Sequence, residues 1–476
     1  MLSRRLVSVA FILQGMALCA VAQTSYDAFQ VMAPELNGTA RYIGMGGAMG
    51  AFGSDLSTIS RNPAGIGTYV NSDMNISFAF NGSNTYMMNP GTVSVVNADD
   101  LPGSIAYSAD GCRSGVKFSV EELGFVLALP TGGSSSLNYV NFAFAYHHDR
   151  NLDRTLLYFD DTRFPGYLTE FRDLRNALET RVNTFDFNIS FNHNDRFYWG
   201  MTFETLSAYS NTSGHFYHYY PSGQYLLDEP IDITSVDRQN ELRGNGFDFK
   251  LGFIVRPNAG KLRFGASMSI PTLYSMSETY IDYIYALDGE PYDGKKFLQD
   301  TWFKMGTPWV FNASLGYSTG RTAFGLEYDC NIADGSYMKI NNYTLQSQCG
   351  SRDYRNYSAI RAGFETNISL ISLRCGYNYT FPMFNDNGEK YMDDTEFNRK
   401  RMDIDYENIG NSHTFTVGIG YCSRIKDFGG QLYVDAAYAQ NFTNSTLHLG
   451  EYPGTDPVAD YRTSRGKFVL TLGMSF

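Results

Sequence analysis

A glycine-rich run near the N-terminus has residue types that a phosphate-binding loop would need. Gly44 and Gly46 match the first two glycines of a GxGxxG pattern, but Met49 stands where the third glycine belongs. No strand pattern precedes the run, and no Walker lysine follows it. We therefore interpret these glycines as permitting tight turns and close backbone contacts, as in a compact segment folded inside a larger structure.

Residues suited to catalysis or metal binding are sparse elsewhere. The seven histidines show no HExxH or similar spacing, and no CxxC pair occurs. Ser213 and His215 are close in sequence, and His147 and His148 end an apolar run, but no catalytic motif surrounds either pair. We predict that the protein is not an enzyme and has no catalytic residues, bound metal or cofactor.

The elements that hold these residues follow a period of two. In about fourteen segments, apolar side chains alternate with small or polar ones, as in strands that face two environments. The final run is an example, with Phe468 and Leu472 on one face and Thr471 and Gly473 on the other. This run ends at Phe476. Together with the aromatic content and an N-terminal export signal at residues 1–22, it is typical of an outer-membrane barrel.

The connections support a barrel, because short and long links alternate along the chain. Barrels in the outer membrane have short periplasmic turns and long extracellular loops. We predict an all-β fold: an antiparallel transmembrane β-barrel of about 14 strands with an N-terminal lumenal hatch. Its last strand should close against the first strand near Ile76 and Phe78. Long links are expected at 149–180, 211–243 and 277–308, among others.

The N-terminus has the features of a secretory signal peptide. Arg4 and Arg5 precede an apolar stretch that ends in Ala20-Val-Ala22, a small-residue cleavage site. We predict three parts: a signal peptide at 1–22, an N-terminal segment at 23–71 and the barrel at 72–476. The expected location is the outer membrane of a Gram-negative bacterium.

Composition excludes one class of partner and fits another. The formal net charge of −12 argues against nucleic acid, which favours a basic face. The 35 Tyr and 35 Phe suit a barrel whose alternate residues face lipid and whose interfacial rings carry aromatic side chains. Cys330 and Cys349 fall in one predicted loop and are candidates for a disulfide.

Charged residues of both signs fall on the predicted inward face. Buried charges require partners, so we expect a hydrogen-bonded network in the lumen, with a selective ion pathway as the alternative. The charged positions are Asp186, Glu204, Asp248, Lys250, Arg263, Glu327, Arg361, Glu365, Arg374 and Asp435.

Residues 44–65 resemble those of a known family. Gly44-Met-Gly-Gly-Ala is followed by Asp55, by Asn62-Pro-Ala-Gly65 and then by the first strand. This order resembles the FadL/TodX family of outer-membrane transporters for hydrophobic compounds. The resemblance implies a fourteen-stranded barrel whose N-terminal segment plugs the lumen as a hatch. The implied hatch residues are Gly44, Gly46, Gly47, Asp55, Asn62, Pro63, Ala64 and Gly65.

The resemblance also implies a function. Members of the family take up fatty acids or aromatic hydrocarbons by diffusion, through a hatch rearrangement and a lateral opening in the wall. We therefore predict passive uptake of a hydrophobic small molecule by a monomer in contact with outer-membrane lipid and lipopolysaccharide. A related branch, with a similar Asn-Pro-Ala segment, serves type IX protein secretion as a substrate shuttle and is the alternative.

One loop is a candidate ligand groove. Tyr167, Phe171, Leu174 and Leu178 fall at helical spacing on one face of residues 166–178. Such a helix would either supply a capture groove for a hydrophobic compound or pack onto the barrel rim.

Overall fold

The computed structural model describes most of the barrel and part of the N-terminal segment. The described ranges are 31–32, 35–87, 92–96, 102–108, 112–113, 115–132, 136–163, 169–218, 225–226, 229–230, 233–257, 260–286, 291–333, 336–340, 343–344, 355–383, 407–424, 430–448 and 458–476.

Three short helical turns precede the strands within the described residues from 35 onward. They are α1 (Ala40–Gly44) and the 3₁₀ turns η1 (Leu56–Ser60) and η2 (Pro63–Thr68). The strands are β1 (Asp73–Met87), β2 (Thr92–Val96), β3 (Pro102–Ser108), β4 (Cys112–Arg113), β5 (Lys117–Pro130), β6 (Leu137–Arg163), β7 (Thr169–His193), β8 (Phe197–His218), β9 (Tyr225–Leu226), β10 (Glu229–Pro230), β11 (Ile233–Val255), β12 (Leu262–Ser269), β13 (Leu273–Ala286), β14 (Pro291–Gly306), β15 (Trp309–Ser318), β16 (Thr322–Ile332), β17 (Tyr337–Ile340), β18 (Tyr343–Thr344), β19 (Tyr357–Ile368), β20 (Ile371–Thr380), β21 (Glu407–Arg424), β22 (Gln431–His448) and β23 (Val458–Ser475).

These strands form a closed antiparallel barrel of 14 positions, as the sequence predicted. Three positions are each made of two consecutive strands: β12 with β13, β14 with β15, and β16 with β17. The remaining eleven are β1, β5, β6, β7, β8, β11 and β19 to β23. Closure is by β1 and β23, which place Ile76 opposite Leu472 and Phe78 opposite Leu470. The predicted closing register is therefore confirmed.

The period-two pattern explains the two faces of the wall. On β16, Phe324, Leu326 and Tyr328 are exposed on the outside, whereas Glu327 and Asp329 are buried inside. The same alternation places exposed aromatic and aliphatic side chains around the outer wall, where only lipid gives them a favourable environment. The outer face is thus a lipid-facing surface, and the polar residues point inward.

The wall is interrupted at three neighbouring positions. The strands break at residues 270–272 and 307–308, and in the third position β16 ends at Ile332 and β17 begins at Tyr337. Pro271 and Pro308 lie in two of these breaks, and proline supplies no backbone N–H to a strand ladder. The backbone N–H of Thr307 still donates to the carbonyl of Thr272, over 3.1 Å, so the first two breaks are adjacent.

The strands reach further than the sequence predicted. Residues 149–180 were expected to form a long link, but β6 continues to residue 163 and β7 begins at residue 169. Likewise, β13 and β14 occupy most of the expected link at 277–308. The reason is that each hairpin strand satisfies its backbone hydrogen bonds on a neighbour, which requires no apolar alternation.

No described helix has the length and apolar character needed to span a membrane.

Candidate functional site

The N-terminal segment, defined here as residues 35–71, is held in shape by caps. Asp55 begins η1 by accepting from the backbone N–H of Ser57 over 3.1 Å, and it also accepts from the Thr39 hydroxyl over 2.9 Å. Asn62 begins η2, because its Oδ1 accepts from the backbone N–H of Ala64 over 3.2 Å. Side-chain oxygens at these positions satisfy N–H groups that a helical turn leaves unpaired.

The Asn62-Pro63 unit also joins this segment to the wall. The Nδ2 of Asn62 donates to the carbonyl of Gly50 over 2.7 Å and to that of Phe253, on β11, over 3.1 Å. The carbonyl of Pro63 accepts from the hydroxyl of Ser190, on β7, over 2.7 Å. Proline at the first helical position loses no hydrogen bond there. One side chain and one carbonyl therefore connect the segment to two wall strands.

Nine wall strands approach the N-terminal segment through inward-facing glycines, which we call the glycine belt. A Cβ at Gly363 would collide with the carbonyl oxygen of Met45, and one at Gly325 with that of Ala48. The other side of the contact also uses glycine, because Gly46 has a φ of +63° and lies against Gly376. The belt consists of Gly124, Gly200, Gly252, Gly265, Gly316, Gly325, Gly363, Gly376 and Gly418.

Buried ion pairs lie beside the belt. Arg361, with 2% of its side chain exposed, contacts Glu327 at 3.0 Å and Asp329 at 2.5 Å. Arg374 contacts Glu365 at 2.6 Å and Asp435 at 2.5 Å. The segment joins both groups, since Arg61 contacts Asp329 at 3.2 Å and Arg41 contacts Glu365 at 3.0 Å. The predicted inward network is therefore present around Arg361 and Arg374, whereas Arg263 donates to the carbonyl of Phe52 over 3.0 Å.

Burial affects the ionisation of the segment itself. It raises the pKa of the Asp55 carboxyl, although Arg41 and the Thr39 hydroxyl oppose that shift. The carboxyl therefore caps η1 at some cost in desolvation.

A cavity of about 130 Å³ adjoins the N-terminal segment. Arg61 and Glu35 border it from the segment, and Glu204, Asp248 and Lys250 border it from the wall. The Lys250 ammonium donates to both oxygens of Glu204, over 2.6 and 2.7 Å. Ile270, Thr272, Thr307 and Pro308, at two of the wall breaks, also border the cavity. The cavity is thus lined by charged side chains and also borders two of the wall breaks.

Above the cavity, towards the long-loop end, the inward face carries a group of apolar side chains among polar ones such as Thr184 and Glu278. This group, the apolar cluster, combines methionines, aromatics and aliphatic residues from seven wall positions and two flanking segments. Barrel lumens that carry water are polar, so this level is unusual. Its buried members are Val31, Val182, Leu206, Ala208, Leu242, Tyr274, Met276, Phe303, Met305, Ala333, Met338, Tyr357 and Met383, with Met32 packed against them.

The cavity and the apolar cluster are continuous. Val31, Leu206, Tyr274 and Tyr357 belong to the cluster and also line the cavity. Along β11 the order from the short-turn end is the belt residue Gly252, then the charged pair Asp248 and Lys250, then apolar Leu242. At about 3.3 Å per residue, the ten steps from Leu242 to Gly252 cover roughly 33 Å of strand. The inner wall is therefore layered: belt, charged cavity, apolar cluster.

The predicted hatch residues are brought together in the segment, with Gly44, Gly46, Gly47 and Asp55 in its first part and Asn62, Pro63, Ala64 and Gly65 in η2 and its cap. Gly44 contributes its carbonyl, which accepts from Thr416 over 3.2 Å. Whether the segment moves as a hatch stays a prediction.

The backbone at the predicted ligand groove differs from the helix that the residue spacing suggested. The helical interpretation is wrong for residues 169–178, because they belong to β7, where Leu174 pairs with Tyr158 of β6. The neighbouring strands supply hydrogen bonds on both sides, and this outweighs an apolar spacing that also fits a helix. Leu178 is buried, and Tyr167 lies outside the described residues. The groove itself stays a prediction.

The expectation that Cys330 lies in a loop is also wrong. Cys330 lies within β16, not in a loop, and Cys349 lies outside the described residues. Among the described residues, no group of His, Cys, Asp and Glu has the arrangement of a metal site. The sequence pattern did not indicate the apolar cluster, although Met276, Met305 and Met338 lie at strand positions whose side chains are buried inside the barrel.

Comparison with known proteins gives matches at the level of structure. No protein-family model matches the chain, and no curated protein matches it. A FadL homologue from Pseudomonas aeruginosa is 13% identical, with a TM-score of 0.59 over 93% of this chain and 99% of that one. The CymD monoaromatic hydrocarbon channel is also 13% identical, with a TM-score of 0.56 over the same shares.

A third solved structure agrees. The Ralstonia pickettii toluene transporter TbuX is 12% identical, with a TM-score of 0.51 over 93% of this chain and 99% of that one. At such low identity the likeness concerns the fold. The resemblance first found in residues 44–65 is therefore confirmed at that level: the chain has the fold of the FadL/TodX-type outer-membrane channels.

Proposed function

We propose that this protein carries hydrophobic small molecules across the outer membrane of a Gram-negative bacterium by passive diffusion. The observation that carries the proposal is the apolar cluster inside the barrel. A water-filled channel gains nothing from Met276, Phe303 and Met305 on its inner face, whereas an apolar solute leaves water favourably there. The solved structures of this fold, which include a hydrocarbon channel and a toluene transporter, support the same class.

The methionines fit a passage more than a fixed pocket. Methionine is unbranched, has a polarisable sulfur and adapts to irregular shapes. Met276, Met305, Met338 and Met383 are all buried in the cluster. A solute of variable shape can displace such side chains at a low cost, which suits transport of a chemical class, such as long-chain fatty acids or aromatic hydrocarbons.

We infer that the route continues from the cluster into the cavity. The N-terminal segment would then act as a hatch below the cavity, because its close contact with the glycine belt leaves little room for a solute to pass between them. The interrupted wall at residues 270–272 and 307–308 borders the same cavity and supports a lateral exit there. In this proposal the protein works as a monomer among outer-membrane lipid and lipopolysaccharide.

A capture step at the outer end of the barrel belongs to the same proposal. Phe171, Leu174 and Leu178 are on β7, on the long-loop side of the apolar cluster. Replacing Phe171 and Leu174 with Asp should weaken uptake without preventing assembly. Unchanged uptake by that double variant would remove the groove from the proposal and leave the conduit intact.

The conduit is tested by a charge in the apolar cluster. Met276→Glu should lower the initial uptake rate of a radiolabelled alkylbenzene by about tenfold or more, because a buried unpaired carboxylate is costly and brings water with it. Met276→Leu keeps the volume and should transport normally. Uptake by assembled Met276→Glu that equals the wild-type rate would contradict the proposal.

The alternative, a type IX secretion-associated barrel that shuttles or binds protein substrates, is tested in the same cells. A secretion defect on deletion, combined with unchanged tracer uptake, would favour it over transport.

A further inference from the structure

The charged cavity below the apolar cluster carries information about the end group of the transported compound. Three cationic side chains line it, those of Arg61, Lys250 and Arg361. Each contacts a carboxylate: Arg61 and Arg361 contact Asp329, and Lys250 contacts Glu204. No cation of the described lining is thus left over to neutralise a second anion.

Carboxylates outnumber these cations in the lining. The five acidic residues are Glu35, Asp149, Glu204, Asp248 and Asp329. Five carboxylates against three cations leave a formal charge of −2 on the lining residues. An anionic end group would lose its hydration and meet this excess of like charge, which is unfavourable on both counts.

Hydrogen-bonding capacity is nevertheless available in the same lining. Arg361 and Asn312 sit on either side of the Asp329 carboxylate, at 2.5 and 2.6 Å. Within the described part of the chain, the Nε of Arg361 has no acceptor and the Oδ1 of Asn312 has no donor. Both side chains are more than nine-tenths buried. Neither of these two atoms is itself exposed, so a bound group meets instead the carboxylates of the lining, such as those of Glu204 and Asp248, which accept hydrogen bonds.

The size of the cavity limits what can enter. Its volume is about 130 Å³, and a cavity of about 150 Å³ is known to hold benzene. A single ring, or an end group with a few carbons, is therefore the part of a ligand that fits here. The remaining apolar part has the contiguous cluster of Leu206, Tyr274 and Tyr357 beside it.

From these contacts, charges and dimensions, we infer that the cavity selects hydrophobic compounds with a hydroxyl end group, such as phenols or alcohols, and rejects carboxylate anions. A hydroxyl can donate a hydrogen bond to one of the lining carboxylates, which a hydrocarbon cannot do, and it brings no charge. This inference rests on the proposed function and narrows it, because it disfavours ionised long-chain fatty acids and favours hydroxyl compounds in the same conduit.

The test is a matched ligand series with the purified full-length barrel in detergent. The probes are 4-butylphenol, butylbenzene and 4-butylbenzoate, measured by calorimetry at about pH 7.5, where the phenol is neutral and the benzoate is ionised. The phenol should bind about tenfold or more tightly than the benzoate, and at least as tightly as butylbenzene. A smaller ratio, or tighter benzoate binding, would overturn the inference.

A charge variant locates the cause in this cavity. Glu204→Gln releases Lys250 from its partner, so the preference for the phenol over the benzoate should fall to about threefold or less. Asp300→Asn makes the same charge change on an exposed residue outside the lining and should leave the ratio unchanged. An unchanged ratio in assembled Glu204→Gln would overturn the assignment to this cavity.

The outcomes separate the two proposals. If none of the three probes binds, the proposed transport function fails. If they bind but benzoate matches or exceeds the phenol, only the end-group inference fails. The wild-type series needs no variant, so it decides the inference even if Glu204→Gln does not assemble.

Discussion

Two levels of the barrel interior use opposite kinds of packing. At the glycine belt, backbone meets backbone, and a single added Cβ at Gly363 would overlap the Met45 carbonyl. In the apolar cluster, contacts are made by long side chains such as Met276 and Met305, which have several accessible shapes. The first level fits one partner, the N-terminal segment, and the second can accommodate many. The difference teaches that one inner wall combines a level of close, fixed fit with a level of adaptable side chains.

The two levels also differ in how much charge they carry. Near the belt, Arg361 and Arg374 each contact two carboxylates, and Arg61 and Arg41 supply the second cation of each group, so charge is balanced locally. No charged residue belongs to the apolar cluster. Between them, the cavity carries an excess of carboxylates. A solute that moves from the cluster towards the belt therefore meets a change from apolar to charged surroundings.

The largest expected effect comes from breaking this close fit. Gly363→Ala places a methyl group where the Met45 carbonyl lies, and backbone on both sides leaves no flexible atom to yield. We expect the segment to be displaced, so that proteoliposomes carrying this variant leak a polar dye that wild-type vesicles retain.

Gly82→Ala is the matched control, because the nearest atom to its added Cβ is 3.9 Å away. It should retain the dye. Retention by Gly363→Ala, in a barrel shown to be assembled by its heat-modifiable mobility, would mean that the close fit does not seal the lumen.

The next largest effect concerns the balanced charges. Arg361→Met should destabilise the folded protein by about 3–5 kcal/mol, because Glu327 and Asp329 lose a buried partner. Equilibrium unfolding in urea with lipid vesicles measures the change. A loss below about 1 kcal/mol would show that water replaces the guanidinium, and that the network is not a structural support.

A smaller effect is expected at the cap of η1. Asp55→Ala removes the acceptors for Ser57 and Thr39 and should cost about 1–2 kcal/mol. Asp55→Asn keeps a capping oxygen and should cost less. Similar losses for both variants would indicate that the charge, rather than the cap, stabilises the segment.

The pH dependence of the folding stability tests the direction of the Asp55 pKa shift. Burial raises its pKa in the folded state, so folding is accompanied by proton uptake. This contribution is fully present below the ordinary aspartate pKa and is lost as pH rises through the raised value. Stability of the wild type relative to Asp55→Asn should therefore fall with rising pH across that window. The opposite slope would contradict the assigned cause.

The smallest effect is expected in the adaptable level. Met305→Leu conserves volume and should change stability by less than about 1.5 kcal/mol, with uptake close to normal. A large loss of uptake at unchanged stability would mean that the cluster is as exacting as the belt, and the contrast between the two levels would fail.

The barrel could be predicted from the sequence because its cause is local. Alternation on β16, with Phe324 and Leu326 outside and Glu327 inside, needs only a period of two and a lipid exterior. The closing register near Ile76 and Phe78 followed from the same pattern. The glycines of the N-terminal segment were interpreted for a similar reason, since tight turns are encoded within a few residues, whereas Asn62 was identified from the family resemblance.

The functional levels could not be predicted in the same way. The cavity joins Arg61 to Asp329 and Lys250 to Glu204, which are far apart in sequence and meet only after the barrel closes. The helix expected at 166–178 failed because a strand ladder with β6 decided the backbone. The sequence did not show that Met276 and Met305 face inward, because methionine occurs on either face of a strand and the register decides which face it occupies.

The central claim, that an apolar compound passes through the cluster inside the barrel, is tested most directly by locating the compound. Crystals of the full-length protein soaked with a brominated alkylbenzene would give an anomalous bromine signal. We expect the signal beside Met276 and Met305, continuous with the cavity at Tyr274. Bromine found only against the outer wall, in a protein that transports the same compound, would contradict the account.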